Sequence, residues 1–323
     1  MLYRNILEKL GKTPMVKIEP RDLGQINLYA KLEFYNPTGS VKDRATFHIL
    51  KKALRLNKIN KDTSIIESSS GNFGVSLSAY CKEFGLKFYC VVDPQICTAN
   101  EYLIKTLGAK MIKVTEPDEN GGYLLNRIKK VKELLKKIPN SYWVNQYGNP
   151  YNSEAYKETL GKEICNELDV VDYVFLGVSS GGTITGVSQK IAEKFPKAKI
   201  IAVDMVGSVI FGSQPQKRYI PGIGSSMVPD ILKDANINEV IIIDEASTIE
   251  MCHELLREHN LFVGGSSGSV FSAVKKYFSG KKFKKKPNVV VVFADRGDRY
   301  INTVYNEDWC DNFCQNNFKL KKL

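Results

Sequence analysis

The sequence predicts an α/β fold whose sheets are mostly parallel and covered by helices. Three observations predict it. Short, almost wholly apolar runs recur along the chain, amphipathic stretches of helical period separate them, and Ser/Gly-rich turns follow several runs. The 323 residues suffice for two packed domains or one large α/β unit.

The predicted strands in the first half are residues 26–33 (INLYAKLE), 64–68 (SIIES), 87–93 (KFYCVVD), 110–115 (KMIKVT) and 142–145 (YWVN). The second half adds 173–178 (YVFLGV), 199–204 (KIIAVD), 239–244 (EVIIID) and 288–295 (NVVVVFAD). Between them lie stretches such as 121–138 (GGYLLNRIKKVKELLKKI), with apolar positions at helical spacing. Residues 36–46 (NPTGSVKDRAT) set turn-forming residues before an apolar-periodic run, which predicts a helix starting near Ser40. That puts Lys42 in a first helical turn, where the positive end of the helix dipole favours acids over an ammonium group. Two readings of Lys42 stay open. It is a solvated or phosphate-contacting lysine, or an amine whose pKa the positive field lowers, fit to act as base or to form a Schiff base.

Three turns are rich in Ser and Gly: 67–74 (ESSSGNFG), 177–186 (GVSSGGTITG) and 264–269 (GGSSGS), the last preceding a helical VFSAVKKYF. Free N–H groups at helix starts cradle anions, and parallel sheets bind ligands at the carboxyl ends of their strands.

Several function classes drop out. No apolar run reaches membrane-spanning length, and the start has neither a long apolar segment nor a small-residue cleavage site, so a cytoplasmic protein is expected. The seven cysteines include no C-x-x-C, and the three histidines show no metal spacing, so no metal site is expected and most thiols should be buried. The net charge of +11 is concentrated in KKFKKK (281–286), read as a solvated connection, and FKLKKL (318–323), read as a frayed tail, with no nucleic-acid motif beside them. GKT (11–13) imitates the end of a P-loop, but Ile6 stands where that motif needs Gly, and no G-x-G-x-x-G occurs. RGD (296–298) follows a buried-looking strand, and adhesion does not suit a cytoplasmic chain. What remains is an oddly placed lysine and several anion cradles. Pyridoxal phosphate satisfies both: its aldehyde suits a lysine, its phosphate one helix start, and an amino-acid carboxylate another.

With GKTPMV (11–16), KLEFYNPTGSVKDRA (31–45), SSSGNFG (68–74), GGTITG (181–186), PGIG (221–224) and GGSSGS (264–269) in this order, the chain resembles the cysteine synthase family of pyridoxal-phosphate enzymes nearly end to end. The resemblance implies fold type II, like the tryptophan synthase β subunit. Residues 1–42 and 147–323 would form a large cofactor-binding domain and 43–146 a smaller mobile substrate-binding one, in a homodimer. It implies that Lys42 holds the cofactor and later acts as base at the substrate Cα. Asn72 would bond the ring hydroxyl, and Ser179, Ser180, Gly181, Gly182 and Thr183 would hold the phosphate. Ser266 would face the pyridine nitrogen. Ser69, Ser70, Gly71, Asn72 and Gln146 would grip the substrate carboxylate.

The family commonly has Gly where this chain has Ser179, and Thr-Ser-Gly-Asn where it has Ser69 to Asn72. VVDPQI, EPDENGGYLLNRI, WVNQY, GSVIFG and ADRGDRY are instead similar to one branch, the N-(2-amino-2-carboxyethyl)-L-glutamate synthases of 2,3-diaminopropionate formation for siderophores or peptides. That implies O-phospho-L-serine as donor and L-glutamate as nucleophile. The alternatives are an ordinary cysteine synthase and a silent regulatory paralogue, the latter opposed by intact Lys42, Asn72 and Ser266. A phosphorylated donor brings roughly two negative charges, which suit an arginine. Arg127 is therefore expected on the donor phosphate with Tyr147 and the Ser179 hydroxyl. The alternative is that Arg127 lies on the solvent face of its helix.

Overall fold

The computed structural model describes residues 2–118 and 121–318. Strands β1 (Met15–Ile18) and β2 (Asn27–Leu32) precede helix α1 (Lys42–Arg55). Then β3 (Ser64–Ser68), α2 (Asn72–Glu83), β4 (Lys87–Val92), α3 (Thr98–Thr106), β5 (Lys110–Lys113), α4 (Leu124–Lys137) and β6 (Ser141–Trp143) alternate. Helices α5 (Pro150–Tyr156) and α6 (Lys162–Glu167) lead into β7 (Tyr173–Gly177), α7 (Gly182–Lys194), β8 (Lys199–Met205) and β9 (Glu239–Ile243). Helices α8 (Glu245–His259) and α9 (Gly265–Phe278), strand β10 (Asn288–Phe293) and α10 (Glu307–Phe318) complete the chain.

The strands make two sheets, of order β1-β2-β10-β7-β8-β9 and β5-β4-β3-β6. Every pairing is parallel except β1 with β2. Inner strands β3, β7, β8 and β10 are buried along nearly their whole length, as strands covered on both faces must be, while edge strands β5 and β9 are partly exposed. All nine apolar runs become strands. The sequence reading missed β1, a four-residue antiparallel edge strand whose partly exposed MVKI lacks a continuous apolar signal. The two sheets share apolar packing, because Ile49 of α1, Leu77 of α2, Tyr156 of α5 and Val187 of α7 belong to one buried cluster.

GKT (11–13) has a structural role. It wraps a buried ion cluster that fixes α1. Arg44 donates to both oxygens of Glu33, at 2.6 and 2.8 Å, and to both oxygens of Glu163, at 2.7 and 2.9 Å. Buried Lys31 binds Glu163 at 3.1 Å and Glu167 at 2.5 Å, and the Thr13 hydroxyl donates to Glu33 at 2.6 Å. Gly11, at φ +72°, leaves the space: a Cβ there would stand 2.9 Å from Glu163 Oε1. Burial opposes ionisation of Glu163, but Arg44 holds its carboxyl down to about 2.

Residues 281–286 are a mostly exposed connection between α9 and β10, and the run beyond residue 318 lies outside the described residues. Four of the seven cysteines are buried. No described helix is long and apolar enough to cross a membrane. Because Arg44 cannot shed its charge, removing Glu33 leaves a buried cation with Glu163 alone. Glu33→Ala should therefore cost about 3–5 kcal/mol in urea unfolding of the cofactor-free protein. A loss below about 1 kcal/mol would mean that the cluster does not anchor the helix.

Candidate active site

The carboxyl ends of β3, β7 and β10, with the starts of α1 and α9, enclose one cavity of about 520 Å³. Lys42, Ser69 to Asn72, Arg127, Gln146, Tyr147, Ser179 to Thr183 and Ser266 all line it. Residues singled out separately in the sequence thus meet in one place.

The turn before α1 aims Lys42. Gly39, at φ +84°, closes it with its N–H on the Asn36 carbonyl at 2.9 Å. The Val41 N–H donates to the Ala294 carbonyl at 2.8 Å and ties the turn to the end of β10. Asp43 turns back to accept from the Thr38 N–H at 2.6 Å and from the Thr38 hydroxyl, so the acid that a helix start favours is present beside the lysine. Lys42 Nζ makes no hydrogen bond or ion pair with the described residues. Burial pulls its pKa down to about 8, against an opposing pull from Asp295. The sequence pointed to the helix field as the cause; the structure supplies desolvation.

Asp295 closes the inner wall. Its Oδ2 accepts from Asn72 Nδ2 at 2.6 Å and from the Tyr300 hydroxyl at 2.8 Å. Its Oδ1 is buried without a partner, against a Gly264 whose Cβ would lie 2.0 Å away. The other end of the Asn72 amide accepts from Arg299, which also donates to the Thr38 carbonyl at 2.6 Å. Asn72 is therefore engaged on both sides by protein groups. Burial pushes the Asp295 carboxyl up, while Asn72, Arg299 and Tyr300 act to lower it.

Across the cavity, Gly181 caps α7 in the left-handed region at φ +82°, and a Cβ on Gly182 would collide with Asn152 Oδ1 at 2.3 Å. The first-turn amides of Gly182, Thr183 and Ile184 have no carbonyl acceptor within the helix. The Ser179 hydroxyl donates to the Gly224 carbonyl at 3.1 Å, so it is not free as expected. GGSSGS forms the first turn of α9, not a loop before it, and the Ser266 hydroxyl there makes no hydrogen bond with the described residues. An unpaired amine, a glycine-lined helix start and an unengaged neutral hydroxyl fit the aldehyde, phosphate and ring nitrogen of pyridoxal phosphate.

The Ser69 hydroxyl accepts from the Gly71 and Gly74 N–H groups at 3.3 and 3.0 Å, so it caps α2 before it can grip any substrate. Ser70 Oγ accepts from Arg127 at 3.1 Å and from the Asp93 N–H at 3.0 Å. Gln146 Nε2 donates to the Ser68 carbonyl at 3.1 Å, and its N–H binds Glu67, a buried acid pushed up to about 7 by burial. Arg127 pairs with Asp93 at 3.3 Å, is only 13% exposed, and keeps its Nε–H buried without a partner. Its side chain lies on the cavity wall and not on a solvent face. Burial raises the Tyr147 pKa, with Arg127 opposing. Sequence reasoning missed Asp295, Arg299 and Arg218, all on the cavity wall. For Asp295 a signal existed, since an acid directly past an apolar parallel strand stands where such sheets bind ligands.

A family model for pyridoxal-phosphate-dependent enzymes matches residues 6–295. The chain belongs to the pyridoxal-phosphate-dependent enzyme family. An O-acetylserine-dependent cystathionine β-synthase from Helicobacter pylori superimposes with a TM-score of 0.87 at 31% identity, covering 95% of this chain and 100% of that one. A hydrogen sulfide-producing enzyme from Fusobacterium nucleatum gives 0.86 at 28% identity, covering 93% and 100%. O-ureido-L-serine synthase shares the fold with a TM-score of 0.87 at 23% identity, covering 98% and 100%. The protein is thus a fold-type II pyridoxal-phosphate enzyme of the cysteine-synthase-like, β-replacement kind, and pyridoxal phosphate is its cofactor.

For this enzyme the lowered Lys42 pKa has a measurable consequence. At pH 7 a pKa of about 8 leaves about one amine in ten neutral, against about one in three thousand for an unperturbed lysine. Capture of the cofactor by apoenzyme, followed as growth of visible absorbance, should accelerate with pH and level off above about 8. Asp295→Asn, which removes the charge that favours the ammonium form, should shift that plateau to lower pH. A wild-type rate still climbing beyond about pH 10 would show an unperturbed amine.

Proposed function

We propose that this enzyme replaces the phosphate of O-phospho-L-serine with the amino group of L-glutamate. The products are N-(2-amino-2-carboxyethyl)-L-glutamate, a precursor of 2,3-diaminopropionate, and phosphate. The observation that carries the reading is Arg127. It is a nearly buried guanidinium with an unpaired Nε–H, on the wall of the cavity that also holds Lys42 and Tyr147. A cation beyond the cofactor cradle suits a leaving group that is itself a phosphate.

In this reading the start of α7 and residues Ser179 to Thr183 hold the cofactor phosphate, and Ser266 faces the ring nitrogen. Bound there, the cofactor supplies an electron sink that makes the donor Cα proton removable. Lys42 Nζ, neutral in part because it is buried, moves that proton. The N-terminal turn of α2, from Ser69 to Asn72, binds the donor carboxylate, with Gln146 beside it. Arg127 and Tyr147 orient the ester phosphate and balance the charge that grows as the C–O bond breaks. Ser179 joins them by turning its hydroxyl from Gly224. A neutral Ser266 in place of an acid leaves the ring less electron-withdrawing, which suits loss of a β-substituent over transamination. Closure of residues 43–146 over the donor would exclude water.

A second reading, with O-acetylserine as donor, draws on the name of the Helicobacter neighbour. The two donors differ in charge, and Arg127→Ala separates them. Losing a hydrogen bond to a charged group costs roughly 1.5–3 kcal/mol, so kcat/KM for O-phosphoserine should fall about ten- to a hundredfold. Turnover of O-acetylserine, whose ester is neutral, should hardly change. Ser179→Gly should show the same bias more weakly. Equal losses on both donors would remove the support for a phosphorylated substrate. Mass spectrometry of wild-type mixtures should find the glutamate adduct in step with released phosphate.

A further inference from the structure

Arg218 stands on the wall of the same cavity, and the reaction as described gives it no task. Its placement is built. Glu245, at the start of α8, accepts from the Tyr219 and Ile220 N–H groups at 2.6 and 2.7 Å and so pins the segment that carries it. Its Nη1 donates to the Gly207 carbonyl at 2.6 Å, and its Nη2 donates to the Ser226 hydroxyl at 3.2 Å. The stem crosses Gly224, at φ +75°, where a Cβ would stand 3.3 Å from both the Arg218 Cδ and Nε.

Every partner of this guanidinium is neutral. Among the described residues no carboxylate lies within ion-pair distance of it, whereas Arg127 is matched by Asp93 and Arg44 by Glu33 and Glu163. Its Nε–H makes no hydrogen bond with them either. A partly buried arginine whose direct partners are carbonyls and a hydroxyl, with Asp204 and Glu245 acting on its charge only from beyond ion-pair distance, keeps room for an external anion. Both arginines line this cavity, and the segments that carry them approach each other. Gly122, near the start of α4, would bring a Cβ to 3.4 Å from Ser226 Oγ, the group that Arg218 holds.

We propose that Arg218 binds a carboxylate of the acceptor amino acid, so that it selects an anionic amino acid as the second substrate. This rests on the β-replacement reading above, in which the donor already occupies Arg127 and α2. A donor ester and an amino-acid acceptor present more negative groups than one arginine, itself half-matched by Asp93, can answer. The second cation, on the same cavity, completes the count. Sulfide, which has no carboxylate, does not use this contact.

The test compares acceptors on Arg218→Gln and wild-type holoenzyme, with O-phosphoserine and O-acetylserine as donors. Glutamate, aspartate and sulfide are the acceptors. Arg218→Gln should raise the KM for glutamate by about tenfold or more, the size of one lost charged hydrogen bond. The sulfide reaction should change less than about twofold. Calorimetric titration of glutamate into holoenzyme should show the same loss of affinity without turnover. Arg218→Lys should recover part of it. Ser226→Ala keeps the charge but frees the head, and gives an intermediate KM even if Arg218→Gln folds poorly. Equal effects on glutamate and sulfide, or none on either, overturn the proposal. A wild-type enzyme that uses aspartate but not glutamate refutes the glutamate reading and leaves Arg218 to be judged on aspartate. Use of sulfide alone refutes both.

Discussion

The site depends on one constraint, the desolvation of the Lys42 amine at the first turn of α1 without an ion-pair partner. Three consecutive residues make this possible, because a helix turns each side chain about 100° from the last. Lys42 enters the cavity, Asp43 folds back on Thr38, and Arg44 runs into the buried carboxylates of Glu33 and Glu163. The arginine anchors the helix and the aspartate supplies the acid its terminus favours. The lysine can then carry an electrostatic penalty that an isolated helix would not tolerate. A Val41 hydrogen bond to Ala294 holds all three in register with the end of β10.

The cavity's charges follow from that arrangement. The Lys42 amine feels the charge of Asp295, a carboxylate already shared by Asn72 and Tyr300, without pairing with it. Arg127 and Arg218 line the same cavity. The amine and its neighbours suit chemistry on a cofactor, and in the proposed reaction the two arginines meet anionic amino acids. Membership of the pyridoxal-phosphate family accounts for the first. The second belongs to the proposed choice of substrates.

Much of this was legible in the sequence, for a physical reason. Strands buried on both faces are largely apolar, so β7, β8 and β10 announced themselves, and the turns after β3 and β7 carried the Ser and Gly of anion cradles. The edge strand β1 did not, because half-exposed residues carry no such signature. GKT looked like a fragment of a phosphate loop until the fold wrapped it round Arg44 and Glu163. Asp295 and Arg218 are far from Lys42 in sequence and reach the same cavity only through the crossovers of the larger sheet. Hydroxyl engagements such as Ser69 on α2 and Ser179 on Gly224 depend on rotamers that no pattern encodes.

The account stands or falls on which lysine carries the cofactor. Borohydride reduction of the holoenzyme, followed by proteolysis and mass spectrometry, locks the cofactor to its attachment point. The geometry requires the pyridoxyl mass on the peptide that contains Lys42, and none after Lys42→Ala. A stoichiometric label on any other lysine, or unlabelled wild-type peptides, would contradict it.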